Sequence, residues 1–175
     1  MKLRLTEKTK NHVWKYLNTH NIANRGSVDG SKQNQFVGLV GELAVYNYLY
    51  GYTLDLFIKD DGFDGGWDIS YNNLKIDVKT KERSVPARPE FACDVLESQI
   101  KYRADCYVFC NFIGDGESVE ICGYITKKDF LKKAVYIGAM QSVSRSDGTS
   151  FINKAGVFSV LIKDLSNIGE LKCGY

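Results

Sequence analysis

Residues 67–81 of the chain read WDISYNNLKIDVKTK. Two short segments of alternating polar and apolar residues are separated here by only Asn72 and Asn73. Such alternation predicts β-strands, and asparagine tolerates the positive φ angles that a two-residue hairpin turn requires. The sequence therefore predicts a β-hairpin that closes on Tyr71 and Leu74.

Counting back from this turn predicts which residues of the hairpin face each other. Ile69 would oppose Ile76, and Asp68 would oppose Asp77. Directly opposed residues share a face with Cβ atoms about 4.5–5.5 Å apart, so the two aspartates would repel each other unless a positive charge lies between them. Mg²⁺ suits this position, because it is commonly held by one or two carboxylates together with water and phosphate. Lys79, on the same face, could orient a bound water or neutralise a phosphate.

A less specific interpretation fits the same residues. The hairpin could present a solvated polar face on which Asp77 and Lys79 form an ion pair. The second aspartate at the opposed position, and the apolar residues Ile76 and Val78 on the other face, favour the metal site.

A third carboxylate, that of Glu42, belongs to the strongest helical pattern of the sequence, residues 32–50. Glu42 falls on a mainly apolar stripe of this helix, where an unpaired charge is costly. Its carboxylate is predicted to point at the two aspartates; the alternative is a helix-edge glutamate that reaches solvent or a lysine. Gly38 and Gly41 would let the helix approach a sheet or a ligand closely.

Together these residues resemble the PD-(D/E)xK nucleases. That family pattern is a glutamate on a helix, an aspartate at the start of a strand, and (D/E)xK on the next strand. Glu42, Asp68 and the tripeptide Asp77-Val78-Lys79 match it, within a similarity that covers residues 32–125. The resemblance implies that Asp68, Asp77 and the Val78 carbonyl bind metal, and that Glu42 binds a metal or a metal-bound water. It also implies that Lys79 assists the nucleophilic water.

The resemblance further implies a fold and an activity. The fold would be an α/β restriction-endonuclease-like core with a mixed central sheet flanked by helices. The activity would be Mg²⁺-dependent hydrolysis of DNA phosphodiester bonds, with Mn²⁺ able to substitute, by an endonuclease of a phage, a mobile element or a repair pathway. RNA is the alternative substrate, and a homodimer is a further possibility because similar enzymes often cut both strands as dimers.

The sequence departs from the family pattern at several positions. Trp67 replaces the proline before the first aspartate, and Gln99 and Tyr102 are three residues apart where some members have a glutamine and a tyrosine four apart. Three further aspartates could shift the metal assignment, although turn formation is the favoured interpretation: Asp60, Asp61 and Asp64. Two other functional hypotheses therefore stay open, a catalytically silent nuclease-like fold that binds nucleic acid or protein, and an unrelated α/β protein with a fortuitous DxK.

Patterning along the rest of the chain predicts a single domain over residues 1–175, with its core at 32–125 and a C-terminal extension at 126–175. Ser31 is the predicted N-cap of the strongest helix and Gly51 its stop. Helices are predicted over 6–18, 32–50, 93–103 and 126–134; strands over 53–58, 67–71, 74–81, 106–113 and 119–125; and a strand or turn-rich segment over 151–165.

Charge is nearly balanced overall but segregated along the chain. The 175 residues include 23 lysines and arginines against 21 aspartates and glutamates, which excludes a polybasic coat and an acidic tail. Residues 52–70 contain five aspartates and one lysine, whereas basic residues follow the hairpin. Phosphate contacts to DNA are predicted for Lys81, Arg83 and Lys101.

The five cysteines lack CxxC spacing. They predict buried thiols in preference to a zinc site. The sequence has neither a signal-peptide pattern nor a run of 18 apolar residues, which predicts an intracellular, cytoplasmic protein with no membrane partner.

Overall fold

Three sheets and three helices form the part of the chain that the structure, a computed structural model, describes: residues 1–20, 31–51, 66–114, 118–144 and 148–173. The helices are α1 (Glu7–Thr19), α2 (Lys32–Tyr50) and α3 (Lys127–Lys133). The strands are β1 (Lys2–Arg4), β2 (Ile69–Tyr71), β3 (Leu74–Arg83), β4 (Ala92–Leu96), β5 (Cys106–Ile113), β6 (Ser118–Thr126), β7 (Val135–Ile137), β8 (Ser142–Ser144), β9 (Ser150–Ile152) and β10 (Val157–Leu161). Short 3₁₀ segments lie at Glu97–Gln99, Ile162–Asp164 and Ile168–Lys172.

The largest sheet has five strands in the order β1-β6-β5-β3-β2. β3 and β5 run parallel, and the other neighbours are antiparallel. The sheet is therefore mixed, and the predicted mixed α/β class is confirmed. The strands predicted at 106–113 and 119–125 are confirmed as β5 and β6, which pair antiparallel.

Helix α2 covers one face of this sheet and has the predicted limits. The Ser31 side chain accepts a hydrogen bond from the Asn34 backbone N–H at 3.2 Å, which caps the helix start. Gly51 ends the helix in the left-handed conformation, with a φ of 76°. The predicted helix at 6–18 is confirmed as α1, and its Trp14 stacks on Phe36 of α2 with ring centroids 4.7 Å apart. These two helices and the sheet enclose one hydrophobic core.

A second core lies on the opposite face of the five-stranded sheet. It is formed with α3 and with a three-stranded sheet in the order β4-β10-β7. Phe130 of α3 is fully buried there and meets Tyr107 of β5 at a ring-centroid distance of 5.0 Å. The helix predicted at 126–134 is confirmed as α3, with Thr126 as its N-cap.

The helix predicted at 93–103 is wrong. Cys93 and Val95 are buried while Asp94 and Leu96 are more exposed, which is the two-residue period of a strand. This strand, β4, pairs with β10, more than 60 residues later in the chain. Periodicity cannot separate a short apolar run in a strand from one in a helix, and the distant partner decides the outcome here.

Segments outside the predicted core complete both large sheets. β1 pairs with β6 at one edge, and β10 supplies the centre of the three-stranded sheet. The strand predicted at 53–58 and the aspartates Asp60, Asp61 and Asp64 lie outside the described residues. None of the described helices is both long enough and apolar enough to cross a membrane.

Candidate active site

The hairpin forms as the sequence predicts. Asn72 and Asn73 have φ angles of 48° and 63°, the left-handed values of a two-residue turn. The pairing register runs outward from Tyr71 and Leu74 and ends with Ile69 opposite Ile76. The register prediction is therefore confirmed for every pair that the ladder contains.

Asp68, however, does not pair with Asp77 across the ladder as predicted. Its backbone N–H donates to the Ile76 carbonyl at 2.8 Å, although Ile76 is already opposite Ile69. The ladder is interrupted at this point, and Asp68 Oδ2 accepts a hydrogen bond from the Val78 N–H at 2.6 Å. The Asp68 carboxylate thus takes the hydrogen bond at the edge of β3 that a longer β2 would otherwise make with its backbone.

Trp67 helps to hold this interruption. Its indole N–H donates to the Ser70 hydroxyl at 3.0 Å, and the Lys75 ammonium lies 4.5 Å from the centre of its ring. These contacts tie the residue before Asp68 to both strands of the hairpin. A tryptophan in place of the proline of the family pattern therefore still fixes the chain next to the aspartate.

Asp77 and Lys79 lie on one face of β3 and form an ion pair with an N···O distance of 2.6 Å. The side chains are 5% and 20% exposed, respectively. The less specific interpretation of the sequence predicted this ion pair, and the pair is present. It also predicted a solvated face, which the structure does not have at Asp77, because Asp77 is buried. A buried carboxylate that is paired with a lysine is costly to maintain.

Glu42 approaches the same region from α2. The helix lies unusually close to β3 at Gly41, where a Cβ would overlap the Thr80 hydroxyl. The predicted close approach is therefore confirmed at Gly41. Glu42 is half-buried one residue later, near enough to Asp68 to influence its ionisation.

The pKa of Asp68 is raised well above its ordinary value of 3.8. Burial is the largest cause, followed by the negative charges of Glu42 and then Asp77. The positive charge of Lys79 and the Val78 N–H oppose the rise. The structure thus brings Glu42, Asp68, Asp77 and Lys79 into one electrostatic neighbourhood, with carboxylates in excess.

The donor atoms fit a hard divalent cation. The N–H and C=O of one strand residue point to the same side, so the Val78 carbonyl points to the edge that carries Asp68. Within the described ranges, no three side chains of His, Cys, Asp or Glu are grouped closely enough to hold a metal ion. Mg²⁺ is often held by only one or two carboxylates with waters and phosphate, so Asp68, Asp77 and the Val78 carbonyl are the groups that could bind it, and Glu42 could bind the metal or a metal-bound water.

The three predicted DNA contacts have different surroundings. Lys81 pairs with Asp94 of β4 at 2.6 Å. The Arg83 guanidinium donates to the Ala92 carbonyl at 2.8 Å and lies over the Phe91 ring. Lys101 is exposed, in the turn that replaces the end of the predicted helix.

A cavity of about 440 Å³ adjoins the ion pair. Its lining includes Val78 and Thr80 from one face of β3, and Lys79 and Lys81 from the other. Among the described strands, β2 pairs with β3 only as far as Ile76. The cavity therefore reaches around the remaining edge of β3, and we call it the edge cavity.

Sequence reasoning missed the far wall of this cavity. This wall is lined by Asp94 and Leu96 of β4, by Val157 of β10 and by Gln99. Asp94 and Leu96 were missed because their segment was predicted to be a helix. No local signal in the sequence indicates that β4 pairs with β10. Of these residues, only Gln99 was considered in the sequence, for its spacing from Tyr102.

Cysteine thiols also contribute to this wall, namely those of Cys93, Cys110 and Cys122. Cys93, Cys106 and Cys110 are buried and Cys122 is half-buried, so the prediction of buried thiols is confirmed for most of them. Burial is the main cause that raises the pKa of Cys122 to about 11 and that of Cys106 to about 12. These groups stay protonated near neutral pH and act as small apolar side chains.

Comparisons with known proteins find no matching family model, no matching curated protein and no matching solved structure.

Proposed function

We propose that this chain is a Mg²⁺-dependent nuclease that hydrolyses DNA phosphodiester bonds, with a restriction-endonuclease-like core and the active-site pattern of the PD-(D/E)xK nucleases. One observation carries the proposal: the buried Asp77–Lys79 pair lies beside Asp68 and Glu42 at the edge of β3. Burial and the neighbouring negative charges raise the pKa of Asp68, and groups with strongly shifted pKa values concentrate at functional sites.

The excess of carboxylates supports a cationic cofactor. Glu42 and Asp77 both disfavour the ionised form of Asp68, and Lys79 offsets this only in part. Bound Mg²⁺ would supply the missing positive charge, activate a water and stabilise negative charge on the phosphoryl oxygens. Asp68, Asp77 and the Val78 carbonyl are the proposed ligands.

Lys79 has a separate role in this proposal. Asp77 accepts a hydrogen bond from its ammonium and so fixes the position of Nζ. The remaining ammonium protons can orient the attacking water and bind a phosphate oxygen. Water attacks phosphorus and loses a proton, while the P–O bond to the leaving oxygen breaks and that oxygen takes up a proton.

The fold supports the proposal through its sheet, its second helix and its basic residues. A mixed sheet carries the hairpin, and a helix with a central glutamate packs on one face of it. The basic side chains of Lys81 and Arg83 continue along β3 from the ion pair, where they can contact phosphates. Lys101 is exposed, as a phosphate contact must be.

Cleavage assays test this proposal. We expect purified protein to cut plasmid, linear or branched DNA with Mg²⁺ or Mn²⁺ and to be inactive in EDTA. Asp77→Asn and Lys79→Met should each reduce the rate by about 100-fold or more. Matched controls are Asp129→Asn on α3 and Lys10→Met on α1, which should cut like the unchanged protein. Absence of cleavage on all three substrates, or full activity of Asp77→Asn, would contradict the proposal.

A catalytically silent binding module is the second candidate. It fits the observation that Asp77 is already paired with Lys79, an arrangement that a binding module could keep without a metal. Calorimetric titration with Mn²⁺ separates the two. The nuclease requires binding that Asp77→Asn abolishes, whereas the silent module predicts DNA or protein binding with no metal dependence.

A further inference from the structure

One glycine of α2 lines the edge cavity at a place where a side chain would fit. Gly38 lies in the interior of α2, and no described atom comes within 4 Å of the place that its Cβ would occupy. A glycine in a helix interior costs about 0.5–1 kcal/mol relative to alanine. Unlike Gly41, which Thr80 crowds, Gly38 keeps space open.

The walls of this space carry three cations, and an anionic ligand would share Lys79 and Lys81 with the aspartates that pair with them. Lys79, Lys81 and Arg83 line the cavity, and Asp94 is the one acidic residue among the lining residues. The three cations follow each other at every second position of β3, about 6.7 Å apart. An anionic ligand that extends along the strand therefore meets cations at regular intervals.

The rest of the wall suits a flat, partly apolar group that can donate hydrogen bonds. Phe109, Leu96 and Val157 supply apolar surface. Asn111 is 1% exposed and lines the cavity, and its Oδ1 has no hydrogen-bond partner among the described residues. Adenine, cytosine and guanine all carry amino groups that can donate to such an acceptor.

Size restricts the form of the ligand. About 440 Å³ lies within the range of small-molecule sites. One unstacked nucleotide can enter a pocket of this size, whereas a base that stays paired within a duplex cannot.

We propose that the edge cavity binds a single unpaired nucleotide next to the phosphate that is cut, so that the enzyme favours single-stranded ends or unpaired segments over blunt duplex. This inference rests on the proposed function, because Val78 and Lys79 belong both to the cavity lining and to the proposed active site. The apolar wall contacts the base, and Lys81 and Arg83 contact the adjoining phosphates.

Binding measurements with a cavity-filling variant test this inference. In an Asp77→Asn background, Gly38→Leu places a side chain in the open space and also favours the helix. The matched control is Gln33→Leu, which adds a leucine to an exposed position of the same helix outside the cavity lining. Fluorescence anisotropy would measure the affinity for a single-stranded oligonucleotide, a duplex with a single-stranded overhang and a blunt duplex.

We expect the unmodified cavity to bind the single strand and the overhang at least tenfold more tightly than the blunt duplex. Gly38→Leu should remove this preference, Gly38→Ala should reduce it, and Gln33→Leu should keep it. Comparing the affinities for DNA and RNA oligonucleotides of the same sequence shows whether the cavity takes its nucleotide from DNA or from RNA. Thermal unfolding checks that Gly38→Leu is folded.

Two outcomes distinguish this inference from the proposed function. If the protein cuts DNA but Gly38→Leu keeps the full single-strand preference, the nucleotide pocket is wrong and the nuclease stands. If nothing is cut but single-strand binding depends on Gly38, the pocket stands and the proposed activity is wrong. Equal affinity of the unmodified cavity for single strand and blunt duplex would also overturn the inference.

Discussion

Gly41 of α2 lies so close to Thr80 of β3 that a Cβ at this position would overlap the threonine hydroxyl. Gly38, one turn earlier in the same helix, has no described atom within 4 Å of its Cβ position. The two glycines therefore serve different purposes. Gly41 sets the distance between helix and sheet, and Gly38 leaves the edge cavity open.

The same substitution should accordingly have opposite effects at these two positions. We expect Gly41→Ala to lower the free energy of unfolding by about 1–3 kcal/mol, because Thr80 is branched at Cβ and cannot move aside freely. Gly38→Ala should raise it by up to about 1 kcal/mol, because alanine favours the helix and meets no neighbour. Urea unfolding of the two variants measures both values, and effects of equal sign would contradict the assignment.

Two lysines on one face of β3 belong to ion pairs of different burial, and removing each should lower the free energy of unfolding by a different amount. Lys79→Met leaves the buried carboxylate of Asp77 without its partner, which should lower the free energy of unfolding by about 3–5 kcal/mol. Lys81→Met breaks a pair in which the lysine side chain is 47% exposed, so the loss should be below about 1 kcal/mol. Urea unfolding at neutral pH compares them. A small loss for Lys79→Met would mean that water reaches Asp77.

Raising the pH should destabilise the fold through Asp68. The folded chain holds this proton more tightly than the unfolded chain, because the pKa of Asp68 is raised above 3.8. The free energy of unfolding therefore falls as pH rises from that value through the folded pKa. Asp68→Asn removes this term and can still accept the Val78 hydrogen bond, so it should be more stable than the unchanged protein at pH 7.

Asp129 provides the control for this pH dependence. The Thr126 hydroxyl is the main cause that lowers the pKa of Asp129, so its ionised form stabilises the fold above the unfolded pKa, and this contribution is lost as pH falls. Asp129→Asn should thus change the slope of stability against pH in the opposite direction. Urea unfolding from about pH 4 to about pH 7 measures the slope that depends on Asp68, and unfolding from about pH 2 to about pH 4 measures the slope that depends on Asp129. Identical slopes for Asp68→Asn and the unchanged protein would contradict the raised pKa.

Local interactions explain the parts of the site that the sequence made predictable. Asn72 and Asn73 define the turn, and the turn defines the register that carries Asp77 and Lys79. The limits of α2 follow from Ser31 and Gly51, which lie at its ends. In these cases the determining residues are neighbours in sequence.

Non-local interactions explain the parts that were not predictable. Pairing with β10 makes a strand of Cys93 and Val95, whose spacing alone also fits a helix. The position of Asp68 depends on its hydrogen bonds to Ile76 and Val78, which replace the expected pairing with Asp77. Strand periodicity predicts neither interaction, because the first involves a distant segment and the second an interruption of the ladder.

The pairing of β4 with β10 has a consequence for the order in which the protein assembles. The hairpin of β2 and β3 joins adjacent segments and can form within microseconds, whereas β4 must wait for residues 157–161. Pairings between distant segments form slowly, because a long loop has to close first. During folding the hairpin that carries Asp77 and Lys79 therefore exists before the edge cavity has its far wall, and a newly made chain acquires its charged centre earlier than the pocket proposed to select its ligand.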